Sequence, residues 1–148
     1  MKFINGKLLA RATLAGLVTH GAVLSTNNLQ AHHSFAAEFD AEKTIQLAGV
    51  VTKVEWSNPH VWIYFNVKDD GSGKVTNWGA ELGPPHLLQR RGWRRDTLKI
   101  GTLINVDGFM ARNGSDRVNA RTVTVAATGG APGVELDAGS SQLESNNN

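Results

Sequence analysis

From His60 to Lys68 the chain alternates with a period of two. Val61, Ile63, Phe65 and Val67 fall on one side, and His60, Trp62, Tyr64 and Asn66 on the other. Successive side chains of a strand point to opposite faces of a sheet, so the aliphatic set predicts a core face. The opposite set offers an imidazole, an indole, a phenol and an amide, groups that both stack and hydrogen-bond.

The rest of the pattern predicts four more strands. Ile45 to Trp56 is rich in Val and Thr and contains Gly49, a sign of a bulge or a sharp bend. Ser57-Asn58-Pro59 reads as the turn into the His60 strand. Asp69 to Gly73 reads as a hairpin connection into a third strand, Lys74 to Leu82, which carries Trp78. Pro84-Pro85 before Leu87-Leu88 and Gly92 after Arg91 predict a helix of about two turns. Thr102 to Met110 and Arg117 to Ala127 form the last two strands, joined by the turn Arg112 to Asp116 with its Asn-Gly signal. Five strands with one short helix between the third and fourth predict an all-β, OB-like Greek-key barrel. In that fold the second and third strands and the 1–2 and 4–5 loops commonly bind ligands.

Composition changes the picture at both ends. Lys2 and Lys7 precede an apolar run, Ala12 to Leu24, and Leu29-Gln30-Ala31 supplies a cleavage signal. The run is about 13 residues against the roughly 20 needed to span a bilayer. Residues 1–31 therefore read as an export signal, and the mature protein as periplasmic or secreted with no transmembrane span. Residues 32–44 read as an arm that packs Phe35 and Phe39 onto a domain spanning 45–128. Gly129 to Asn148, rich in Gly, Ser and Asn, read as a disordered tail. The chain has 15 Lys and Arg against 13 Asp and Glu, and three of the basic residues, Lys2, Lys7 and Arg11, leave with the signal. The mature charge is then −1, so the basic character of the full sequence is no argument for nucleic acid. With no cysteine, stability must come from an ordinary core.

Three stretches together carry a resemblance: Ala31-His32-His33-Ser34-Phe35, Glu55-Trp56-Ser57-Asn58-Pro59-His60, and Gly92-Trp93 ahead of Leu98-Lys99-Ile100-Gly101. Over about Ala31 to Ala127 the chain resembles a family of small exported bacterial proteins, domain of unknown function 6152. Thr102 stands where that family usually has an acidic residue. The resemblance implies export and a small barrel, and supplies no catalytic residue.

The candidate ligand-binding residues are Asn58, His60, Trp62, Tyr64, Trp78 and Arg112. Their plainer roles are a turn for Asn58, a loop-stabilising hydrogen bond for His60, and packing for the indoles, above all Trp56 and Trp93. A rival for the whole face is burial under the arm. The candidate metal ligands are His32, His33, His60 and His86. If cleavage leaves His32 first, its free amine and imidazole suit Cu or Zn. Arg90, Arg91, Arg94, Arg95 and Lys99 form a basic cluster that Arg112, Arg117 and Arg121 extend. Basic groups beside aromatics suit single-stranded nucleic acid, but export favours an envelope ligand such as an anionic glycan, a lipid headgroup or a protein partner. The plainer reading is a solvated helix end. No nucleophile elbow, zinc-protease motif or phosphate loop occurs. The expectation is a non-enzymatic binding module, with a copper- or zinc-binding protein as the alternative.

Overall fold

The computed structural model describes residues 35–127 and 133–139. The strands are β1 (Phe39–Glu55), β2 (Trp62–Lys68), β3 (Val75–Glu81), β4 (Leu103–Ala111), β5 (Arg117–Val125) and β6 (Val134–Asp137), with a helix α1 (Pro85–Arg90) between β3 and β4. A helical turn, Phe35 to Glu38, precedes β1. The strands form one largely antiparallel sheet in the order β3-β2-β1-β4-β5-β6, and β3 also pairs with β5 in parallel.

β1 is much longer than its alternation predicts, because it serves two partners. Its first part pairs with β4 as far as Val50, and its last part, from Val50 onward, pairs with β2. The register with β2 slips between Val51 and Lys53. Gly49 lies just before the changeover. A Cβ there would stand 2.5 Å from the Asn66 carbonyl oxygen and 2.8 Å from the Phe65 ring. The glycine is needed for close approach of two backbones.

Inward-facing Val61, Ile63 and Phe65 are fully buried with Val51, Ile104, Val106, Val118 and Val123. Leu88 of α1 and Trp93 join them. Gly92, at φ 93°, ends the helix and turns the chain so that the Trp93 amide donates to the Leu88 carbonyl at 3.0 Å. A second, separate cluster holds Phe35 and Phe39 against Phe109 and Ala111.

Two expectations need correction. The segment read as a disordered tail carries β6, which pairs with β5 from Thr122 to Val125. Ala138 just beyond it is fully buried, and the Trp93 indole donates to the Asp137 carbonyl at 2.8 Å. The arm is also shorter than expected, since β1 already begins at Phe39. The proposed export signal, and His32 and His33 with it, lie outside the described residues. Among the described residues no helix is long and apolar enough to cross a membrane.

Candidate functional site

The β2–β3 pairing decides which groups share the outer face. Trp62 pairs with Glu81, Tyr64 with Gly79 and Asn66 with Asn77. Direct cross-strand partners project to the same side. Trp62 and Tyr64 are half-buried and Asn66 is exposed. The two rings are stacked, with centroids 6.3 Å apart and planes 20° from parallel.

Gly79 makes room for them. A Cβ there would lie 3.4 Å from the indole and 3.6 Å from the phenol ring. The bare backbone therefore lets both rings settle against β3. Cations stand over the rings: the Lys53 ammonium is 5.3 Å from the Tyr64 centroid, and the Arg117 guanidinium is 5.6 Å from that of Trp62. Both distances fall in the range of cation–π attraction. The Tyr64 hydroxyl donates to Glu55 at 3.1 Å, and Lys53 pairs with the same carboxylate. Lys53 and the Tyr64 hydroxyl hold the Glu55 carboxyl below its ordinary pKa. Burial, followed by the bond to Glu55, raises that of Tyr64.

At the other end of the face, His60 Nδ1 donates to the buried carboxylate of Glu81. The hydrogen bond to Glu81 raises the imidazole pKa, burial opposes it, and the charges of Glu81 and Glu38 add to the rise. A raised folded-state pKa gives stability that is complete below the ordinary value of 6.5 and disappears as pH climbs through the raised value. Thermal midpoints should therefore fall as pH rises from about 6.5, and His60→Gln should flatten that slope. An unchanged slope in the variant would assign the pH dependence elsewhere.

Arg117 also lines a concavity of about 300 Å³ with Glu38, Arg112, Asn113 and Ser115. The Ser115 hydroxyl is buried there without a hydrogen-bond partner. The helical turn and the β4–β5 turn form the walls. The arm docks here on β4, with Phe35 edge-on to Phe109 at 5.5 Å. Its phenyl groups are buried in that cluster and leave Trp62 and Tyr64 half-exposed.

The structure sorts the candidate residues. It brings His60, Trp62 and Tyr64 onto one face. Asn58 is exposed in the preceding turn, beyond a cis Asn58–Pro59 bond. Trp78 pairs with inward-facing Phe65 and packs on the core, so it is not part of the ring pair. Arg112 is an anchor for the arm: its Nε donates to the Ala36 carbonyl at 2.8 Å and its guanidinium stands 3.6 Å from Asp40. His86 is exposed at the start of α1. Among the described residues no three His, Asp or Glu side chains are placed to hold a metal ion. Lys53, Glu55, Gly79, Glu81 and Arg117 complete the face. Equal counting back from the expected Asp69–Gly73 turn sets Trp78 opposite Tyr64 and Ala80 opposite Trp62; Lys68 instead pairs with Val75, and this one-residue shift brings Gly79 and Glu81 there. Nothing local to its own strand marks Arg117.

The Family of unknown function (DUF6152) matches residues 22–120. No curated protein matches the chain.

Proposed function

The chain belongs to the Family of unknown function (DUF6152), and on that premise we propose that it is an exported, non-enzymatic binding module that holds its ligand on the outer face of β2. The scaffold is a five-stranded OB-like barrel. Its support is the run β3-β2-β1-β4-β5, whose two ends are joined by the β3–β5 pairing, and the helix between β3 and β4. The β2–β3 face is where that fold commonly binds.

One observation carries the reading: a half-exposed pair of stacked rings lies on Gly79 with Lys53 and Arg117 at its rim. Flat rings receive the apolar side of a sugar or another planar group. Cations at the rim pair with a carboxylate or sulfate. Glu55, Glu81 and Asn66 supply polar contacts around them. The best-fitting ligand class is an acidic oligosaccharide.

Calorimetry with oligogalacturonate, and with a neutral oligosaccharide of the same length, tests this. Binding should favour the acidic ligand. Loss of a stacking platform costs about 1–3 kcal/mol, so Trp62→Ala should weaken it roughly tenfold or more. Arg117→Gln should remove much of the preference for charge. Equal affinity in wild type and Trp62→Ala would reject the face as the binding surface.

A further inference from the structure

The basic cluster after α1 takes no part in the β2 face, and along the chain it leads into exposed apolar residues. Ile100 is 77% exposed, Leu103 50% and Val50 42%. Val50 and Leu103 are direct cross-strand partners. Ile100 is held beside them by a well-bonded turn. The Thr102 amide donates to the Lys99 carbonyl at 3.1 Å, the Gly101 amide to Val51 at 2.8 Å, and the Val51 amide to Thr102 at 2.9 Å. Gly101 takes φ 89°, a conformation that favours glycine. Leu98, buried, anchors the base of the turn. Ile100 is therefore presented to solvent by a braced turn.

The segment that leads into this tip is basic. Arg90, Arg94, Arg95 and Lys99 are exposed, and Asp96 is the one acid among residues 90–100. Among the described residues none of those four cations sits in an ion pair, whereas Arg91 is held by Asp137 at 2.5 Å. Arg95 reaches the Trp56 carbonyl at 3.4 Å, and Arg94 is tied to the Trp93 carbonyl at 2.9 Å. These contacts leave their positive charge unneutralised.

We propose that the turn around Ile100 docks on an anionic phospholipid surface, with Ile100, Leu103 and Val50 entering the interface and Arg90, Arg94, Arg95 and Lys99 meeting the headgroups. An exposed apolar tip preceded by unpaired cations suits interfacial membrane binding. An acidic protein surface would use the charges but would leave the protruding apolar residues without an apolar partner. A bilayer uses both.

The test uses a chain beginning at His32, which keeps all the packing from Phe35 onward and lacks the apolar run Ala12 to Leu24 that would itself partition into lipid. Co-sedimentation is measured with phosphatidylcholine vesicles, with and without phosphatidylglycerol, at low and high salt. Binding should require phosphatidylglycerol and weaken with salt. Each basic side chain neutralised, as in Arg95→Gln or Lys99→Gln, should weaken it roughly fivefold. Ile100→Ser, at a site exposed enough to leave the fold intact, should weaken it about tenfold. No binding to phosphatidylglycerol vesicles would overturn the proposal. So would wild-type binding by Ile100→Ser, which would mean that charge alone holds the chain to the vesicle, as it would to any acidic surface.

Discussion

A chain stopped after Ala127 loses roughly 3 kcal/mol or more of stability, seen as a fall of about 10–20 °C in thermal midpoint. The cause is what β6 and the residues after it cover. Trp93 is 1% exposed and gives its indole hydrogen to the Asp137 carbonyl. Removing that acceptor leaves a buried donor without a partner, at about 1–3 kcal/mol. Loss of half-buried Leu136 and buried Ala138 exposes the core beneath them, and β5 loses its partner along Thr122–Val125. Trp93→Phe in the full chain removes the hydrogen bond together with part of the buried ring, with β6 kept in place, and should reproduce a part of the loss. A truncated chain that melts with the wild type would show that β6 contributes nothing.

Gly49→Ala should destabilise the fold by about 2–4 kcal/mol, as forced overpacking against backbone does. The added methyl would stand 2.5 Å from the Asn66 carbonyl oxygen. That oxygen belongs to a strand and cannot swing aside like the end of a flexible side chain. Either β1 shifts from β2, or the bend that lets β1 pair with both β4 and β2 opens. Gly71→Ala is the control: its nearest neighbour is the Asp69 carboxylate at 3.6 Å, so the change should stay within about 0.5 kcal/mol. Chemical denaturation of the two variants compares them directly. Equal midpoints would mean that the strands relax freely at Gly49.

Both effects mark the limits of what can be read along the chain. The alternation from His60 to Lys68 was decisive for β2, because one fully aliphatic face leaves a single way to bury it. Gly49 announced a bend, and Gly92 the stop that folds Trp93 inward. β6 was hidden because Val134-Glu135-Leu136-Asp137 offers only two apolar positions amid Gly, Ser and Asn. Its stability comes from β5 and Trp93, not from its own composition. The early start of β1 was hidden for the same reason: Asp40 to Thr44 hold no large apolar residue, and the stretch is tied to β4 at its two ends, Phe39 with Ala111 and Thr44 with Phe109.

The site was legible by half. Period two separated Trp62 and Tyr64 from the core, yet it says nothing about neighbours across the sheet. Trp78 lies on a strand that does not alternate cleanly and could face either way by sequence; pairing with Phe65 sends it inward. Arg112 looked like a loop cation facing a ligand, and it instead ties down Ala36 and Asp40. Arg117 reaches Trp62 only through the β3–β5 pairing. His60 finds Glu81, 21 residues away, while nearby Glu55 serves Tyr64.

The most direct test of the ring platform follows the four indole N–H resonances during titration with oligogalacturonate, with Trp62 assigned through Trp62→Phe. The Trp62 signal should shift in a saturable way, while that of Trp93, bonded to Asp137 in the interior, stays in place. A Trp62 resonance that does not move at saturating ligand would contradict binding on the outer face of β2.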